Sequence, residues 1–219
     1  PVLYTGGGII NAGPQASVIL RALAKATGFP VTSTLMGLGA FPASDPQWLG
    51  MLGMHGSCEA NNAMHDCDLM IAIGARFDDR VTGRLDAFSP NSRKVHIDID
   101  PSSINKNVPV DIGIIGDAGA IMAAMLDEWK RRDKTEIHDK ARLEDWQAHI
   151  DEWRARKSFQ YVPSTKAIKP QYAVERLYAL TRGKNVFVTT EVGQHQMWAA
   201  QYFHFDEPNR WMTSGGLGT

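Results

Sequence analysis

Val2-Leu3-Tyr4-Thr5-Gly6-Gly7-Gly8 (residues 2–8) is a four-residue apolar strand followed by three glycines. A helical pattern starts soon after it. Pro14 suits a first helical turn, and Ala16, Ile19, Leu20, Leu23 and Ala24 recur at helical spacing. Gly28 then stops the helix. The same alternation recurs along the chain. Val31–Thr34 is predicted as a second strand, and Leu35 to Gly56 as a long loop rich in Gly, Pro and Met. A helix over Glu59–His65 leads to a strand over Leu69–Ile73, which ends at Gly74. Strands follow at Val95–Ile99, closed by Asp100-Pro101, and at Ile112–Ile115, closed by Gly116-Asp117; a helix over Ala118–Trp129 comes next. Apolar, β-branched strands alternating with helices imply an α/β fold, with a parallel sheet covered on both faces.

The pattern changes at Lys130. From there to Lys169 the chain is charged, with Trp129, Trp146 and Trp153 set among Lys, Arg, Asp and Glu. It reads as a solvated, domain-crossing linker with helical stretches. A second α/β unit then begins: a helix marked by Tyr172, Leu177 and Leu180, a strand at Val186–Val188, a turn at Glu191-Val192-Gly193 and a short helix over His195–Gln201. The expected domains are 1–129, a linker at 130–168, and 169–219. Pro1 sits at the start of a strand and the chain stops within Ser214-Gly215-Gly216-Leu217-Gly218-Thr219, so the expectation is a fragment of a longer protein.

Composition excludes several classes. With 23 basic against 24 acidic residues, no nucleic-acid footprint or membrane-surface patch is expected. No apolar run approaches the roughly 20 residues of a spanning helix, and no signal peptide is recognisable. Two cysteines, Cys58 and Cys67, make no disulfide framework and fit a reducing compartment. His55, Cys58, His65 and Cys67 match no common zinc-site spacing.

Ligands of open parallel sheets bind beyond the carboxyl ends of the strands. Gly6-Gly7-Gly8 ends the first strand, where glycines let a backbone approach a phosphate near a helix N-terminus; a tight strand-to-helix turn explains them equally well, because the G-x-G-x-x-G spacing is absent. Thr34-Leu35-Met36 ends the second, Asp98-Ile99-Asp100 the fourth and Gly116-Asp117 the fifth. Carboxylates there can accept from ribose hydroxyls. Taken jointly, these ends favour a nucleotide-type cofactor lying across the sheet edge. After the third strand, Arg76 in Gly74-Ala75-Arg76-Phe77-Asp78-Asp79-Arg80-Val81 suits a diphosphate or a flat ring; a surface ion pair with Asp78 or Asp79 is its plainer reading. Glu191-Val192-Gly193-Gln194-His195 is either a second diphosphate turn or a simple helix cap.

In this order the segments resemble the large catalytic subunit of the acetolactate synthase (acetohydroxyacid synthase) family, which are thiamine-diphosphate enzymes. The matching stretches are Tyr4–Gly8, Thr34–Gly37, Leu52–Gly56, Gly74–Gly83, His96–Asp100, Thr190–Trp198 and Thr213–Thr219. Ala75-Arg76-Phe77-Asp78-Asp79-Arg80-Val81-Thr82-Gly83 and Glu191-Val192-Gly193-Gln194-His195-Gln196 are the specific ones.

The resemblance implies a Rossmann-like central FAD-binding domain over 1–129, missing its N-terminal edge, and the start of the thiamine-diphosphate domain over 169–219. It implies FAD partners at Gly7, Gly8, Thr34, Leu35, Met36, Leu52, Gly53, Met54, His55, Gly74, Ala75, Arg76, Asp78, Arg80, Val81, Asp98, Ile99 and Asp117. Val192, Gly193, Gln194 and His195 would face thiamine diphosphate (thiamine pyrophosphate). The glutamate that activates the thiamine ring is expected before Pro1 and the magnesium ligands beyond Thr219, so no catalytic or metal-binding residue is expected within the chain. The implied enzyme is a transferase and flavoprotein that decarboxylates pyruvate and joins the two-carbon unit to pyruvate or 2-ketobutyrate, in valine, leucine and isoleucine biosynthesis. Its FAD has no net redox role. The implied partners are further large subunits (homodimer or homotetramer) and a regulatory small subunit, in the bacterial cytoplasm or an organelle. The alternatives are a pyruvate oxidase or glyoxylate carboligase type, a sirtuin-like NAD domain, or a non-catalytic nucleotide-binding module. The chain by itself is expected to be inactive.

Overall fold

The computed structural model describes residues 1–133 and 139–215. Six strands form one sheet: β1 (Val2–Thr5), β2 (Val31–Ser33), β3 (Trp48–Met51), β4 (Leu69–Ile73), β5 (Arg93–Asp98) and β6 (Ile112–Ile115). Their order is β3-β2-β1-β4-β5-β6, and every neighbouring pair is parallel. The α/β, parallel-sheet expectation holds. Because all six strands run the same way, all six carboxyl ends reach one edge of the sheet.

Alternation along the strands builds two cores. Val2, Tyr4, Met70 and Ala72 face α3 (Cys58–Asp66) with Ala60, Ala63 and Met64. Leu3, Ile71, Ile73 and Ile97 face α2 (Pro14–Thr27) and α5 (Ala118–Arg131) with Leu20, Leu23, Met122 and Leu126. Pro14 starts α2, and Gly28, at φ 73°, ends it in the left-handed region. The helix over Ala118–Trp129 is present and runs to Arg131.

Several boundaries differ from the expectation. The glycine turn leads straight into a short helix, α1 (Gly7–Asn11), ahead of α2. The loop expected from Leu35 to Gly56 contains a 3-10 turn at Leu35–Gly37 and the edge strand β3. Gly50 at φ 93° and an irregular register against β2 hide β3 from a periodicity reading. Strand β2 stops at Ser33, because Thr34 turns its hydroxyl to accept from the Gly37 amide (3.2 Å). A further short helix, α4 (Asp79–Thr82), follows the β4 end.

Between the two α/β units lies α6 (Lys140–Arg154). It is not a solvated segment throughout: Ile150 and Trp153 are buried in the first core, beside Val2, Tyr4 and Met64. Trp146 donates from Nε1 to the Pro1 carbonyl (2.9 Å), and Arg154 donates to the carbonyls of Pro46 (2.6 Å) and Trp48 (2.9 Å). The charge pattern concealed this, because only one stripe of the helix is apolar.

The second unit comprises α7 (Pro170–Thr181), β7 (Val188–Thr190), α8 (Gln194–Tyr202) and β8 (Trp211–Thr213), with β7 and β8 paired in parallel. β7 lies two residues later than the expected Val186–Val188 strand. Ala199, Ala200, Phe203 and Phe205 pack on Leu38 and Met51, which fastens α8 to the β2 and β3 side of the large sheet. No described helix is long and apolar enough to cross a membrane.

Candidate functional site

The sheet order reverses between β1 and β4, and this is where open parallel sheets leave a crevice. The two strand ends approach closely there. The Gly6 amide donates to the Ile73 carbonyl (2.9 Å) and the Gly8 amide to the Gly74 carbonyl (3.1 Å). A Cβ on Gly8 would sit 2.6 Å from the Gly74 Cα, and one on Gly6 would lie 2.7 Å from the Gly74 carbonyl carbon. Gly6 and Gly8 are therefore explained by backbone packing, and their amides are spent on β4. Only Gly7 keeps an amide that is not tied across to β4 in this way. The space beside it ends at Met36, whose Cβ would be 3.2 Å from an added Gly7 Cβ.

The other ends join this crevice through backbone contacts. Gly74 donates to Ile97 (2.8 Å) and Gly116 to Asp98 (3.0 Å). The loop after β3 meets the arm after β4: the Met54 amide donates to the Arg80 carbonyl (2.8 Å), and an added Cβ on Gly53, at φ 93°, would crowd Arg80 and Val81. Thus the expected residues Gly7, Gly8, Thr34, Leu35, Met36, Gly53, Met54, His55, Gly74, Arg76, Asp78, Arg80, Val81, Asp98, Ile99 and Asp117 lie along one edge. Leu52 and Ala75 lie there too, but their side chains are buried, so only their backbones can face a ligand.

The edge combines apolar platforms with a few polar groups. Met36, Met54 and Ile99 are 53%, 64% and 72% exposed, large apolar side chains left in solvent at strand ends. Between them stands Arg76, with its side chain 77% exposed and its guanidinium 3.4 Å from Asp78. The surface-pair reading of Arg76 is therefore met, and five N–H groups leave it donors to spare. The carboxylates have local work. Asp78 caps α4 through the Arg80 amide (3.1 Å), Asp117 caps α5 through the Ala120 amide (2.9 Å), and Asp98 accepts from the Asp100 amide (2.9 Å). Each uses one carboxyl oxygen for this, and a carboxylate has about four acceptor sites. From β3 to β6 the edge crosses five inter-strand gaps, roughly 24 Å in all. Only an extended ligand could touch both ends, which fits a dinucleotide.

In the second unit, Val192, Gly193, Gln194 and His195 form the turn that opens α8. Gly193 is at φ 158°, and a Cβ there would lie 2.9 Å from the His195 ring. Gln196 was not expected at the site. It is buried, and its Nε2 donates to Thr213 Oγ1 (2.6 Å) and the Ser214 carbonyl (2.9 Å), holding the β8 end beside the turn. Its spacing from Ala199 and Ala200 placed it on the buried face of α8. Gln201, also unforeseen, donates to the His55 carbonyl (2.9 Å), so the two candidate regions share one helix. Gly216 to Thr219 of the Thr213–Thr219 run lie outside the described residues. Among the described residues no cluster of three or more His, Cys, Asp or Glu side chains could hold a metal ion.

Two family models match separate parts of the chain. Residues 1–125 match the family model described as thiamine pyrophosphate enzyme, central domain. Residues 191–219 match thiamine pyrophosphate enzyme, C-terminal TPP binding domain. The chain is 48% identical to the acetolactate synthase large subunit of Haemophilus influenzae and 49% identical to the acetolactate synthase isozyme 3 large subunit of Escherichia coli. Both alignments cover all of this chain and 37% of the relative. An acetolactate synthase of Mycobacterium leprae is 44% identical, with 34% of its length covered. The chain thus spans little more than a third of the curated relatives it matches. With more than half of its residues matched to the central-domain model, and a second match starting at the turn that opens α8, the chain belongs to the thiamine pyrophosphate enzyme family.

Proposed function

We propose that the chain is the FAD-binding domain and the leading part of the thiamine-diphosphate domain of an acetolactate synthase catalytic subunit. The full protein is a carboligase that decarboxylates pyruvate and condenses the two-carbon unit with pyruvate or 2-ketobutyrate, in branched-chain amino acid biosynthesis. The observation that carries this reading is identity near 48% along the whole chain, through both candidate regions.

The groups present suit both organic cofactors. The extended carboxyl edge offers apolar platforms for flat rings, acceptor oxygens at Asp98 and Asp117 for hydroxyls, and Arg76 for a diphosphate. Gly193 lets a diphosphate approach the first turn of α8, where free amides and the helix dipole favour an anion. Gln194 and His195 supply polar side chains beside it. Thiamine diphosphate supplies the electron sink when bound. The residues of this chain bind and orient; none is given a proton-transfer role. Mg2+ ligands are not assigned within the chain. Further large subunits, a regulatory small subunit and a bacterial cytoplasmic or organellar location complete the reading. The boundaries 1–129, 130–168 and 169–219 remain our division of the chain, with α6 docked on the first unit.

The test is product analysis with the full-length protein, pyruvate, thiamine diphosphate, Mg2+ and FAD. Acetolactate is expected. Acetyl phosphate with oxygen uptake, or turnover of glyoxylate, would move the protein to the oxidase or carboligase alternatives. The 219-residue chain assayed in the same way is expected to make no acetolactate.

Arg76→Ala in the full-length protein should weaken flavin retention roughly tenfold to a hundredfold, the loss of a charge-assisted hydrogen bond. Arg76→Lys should recover only part of it, because an ammonium cannot bind a diphosphate bidentately. Flavin content after desalting reads this directly, and full flavin in Arg76→Ala would remove the assigned role.

A further inference from the structure

We infer that His96, to which the cofactor reading assigns no role, is the positioning residue for the arm that presents Arg76. The inference rests on the flavin reading of the carboxyl edge.

The arm leaves β4 through Gly74 at φ 61° and passes Phe77 at φ 52°. A left-handed phenylalanine is disfavoured by its own Cβ and persists only where its surroundings hold it. Phe77 is buried, with edge-on contacts to Tyr4 (5.6 Å between ring centroids), Phe88 (6.0 Å) and His96 (4.9 Å). The sheet register explains its seat. Tyr4 pairs with Ala72 and Ala72 with His96, so a small side chain separates two rings in one row. Phe77 touches both rings.

His96 also holds the backbone of the arm. Its Nε2 lies 2.8 Å from the Ala75 carbonyl, which can only accept, so this nitrogen carries the proton. Ala75 and Phe77 flank Arg76. Their anchorage fixes the Arg76 backbone while its guanidinium stays in solvent. A purely packing role fits His96 poorly. It is fully buried and its Nδ1 has no partner among the described residues, a cost that phenylalanine would avoid. What imidazole adds is the Nε2–H donor. Burial also pushes the His96 pKa below the ordinary imidazole value, against the Ala75 hydrogen bond and the Asp98 carboxylate (3.8 Å), which keeps the ring neutral.

The experiment measures the FAD dissociation constant and the visible circular dichroism of bound flavin in the full-length protein, for wild type, H96F, H96Q, R76A and H96F/R76A. H96F should weaken binding roughly tenfold, and H96Q, whose amide nitrogen reaches the Nε2 position, should stay within about threefold of wild type. The double variant should bind no more weakly than R76A alone, because His96 acts through Arg76. H96F at wild-type affinity, or a loss that adds fully to that of R76A, would overturn the inference while leaving the flavin reading intact. R76A at wild-type affinity would overturn the role of Arg76, and this inference with it. If H96F fails to fold, H96N replaces it, since its amide is too short to reach Ala75. Equal affinities of H96N and H96Q would overturn the inference.

Discussion

Gly6→Ala is expected to destabilise the first domain by about 3 kcal/mol or more, close to the limit of what a single core substitution does. The reason is purely steric. Gly6 has φ −123° and ψ −175°, an extended conformation open to any residue. An added Cβ, however, would lie 2.7 Å from the Gly74 carbonyl carbon and 2.8 Å from the Ala75 Cα, with the Gly74 oxygen nearer still. All three are backbone atoms with no rotamer to give way. Retreat is blocked as well, because the Gly6 and Gly8 amides are bonded to Ile73 and Gly74. Relief requires parting β1 from β4 at the centre of the sheet. Gly13→Ala is the instructive control. Nothing lies within 4 Å of its added Cβ, but φ 94° and ψ 172° suit glycine alone, so its cost of about 1–3 kcal/mol is conformational. Urea denaturation of the full-length variants separates the two. A Gly6→Ala loss below about 1 kcal/mol would mean that the strand ends are not this close.

The same contact shows what a sequence can and cannot disclose. β1, β2, β4 and β5 were legible because both of their faces are buried or half-buried, and their sequences are apolar and β-branched to match. β6 was legible from its apolar, β-branched run alone, since at the sheet edge it is largely exposed. Their parallel course followed from the intervening helices, and that alone placed Gly7, Thr34, Arg76, Asp98 and Asp117 on one edge. The proximity of Gly6 to Gly74 was not legible, since it depends on which strand lies beside β1. The glycines were therefore open to a phosphate-binding reading, although packing accounts for two of the three. α1 begins with two glycines, against helix propensity, and forms because Ile9 is buried and the Ala12 amide reaches the Gly8 carbonyl (3.0 Å). β3 was hidden by Gly50, which lacks a side chain to mark either face. The expected roles of Leu52 to His55 came from family resemblance, not from periodicity. The turn at Val192 to His195 was already visible as a strand-to-helix turn, open to a diphosphate or a capping reading, and the resemblance favoured the first. His96 was within reach of the pattern: a polar residue between Val95 and Ile97, in a strand covered on both faces, must point inward.

Trp153→Ala should cost about 3–5 kcal/mol, the range for emptying a buried tryptophan site. A residue in a solvated linker would cost almost nothing, so this variant decides what the segment between the two α/β units is. Trp153 is 8% exposed and meets Trp146 edge-on, with 5.7 Å between ring centroids. Both pack into the core formed by Val2 and Tyr4 of the sheet and Met64 of α3. The neighbouring polar contacts strengthen the seat, because Arg154 bonds the Pro46 and Trp48 carbonyls at the start of β3. Loss of the indole thus frees the helix that closes this face, next to the strand whose end carries Met54 and His55. Trp153→Phe should recover part of the loss by refilling some of the volume. In urea, the midpoint of the transition should fall with little change in slope if α6 unfolds together with the sheet. A new early transition would instead show α6 peeling away as a separate unit, and a loss below about 1 kcal/mol would restore the linker reading. If the large loss is found, the charged segment is a structural wall of the first domain, and α6 belongs in any division of this chain that is meant to fold.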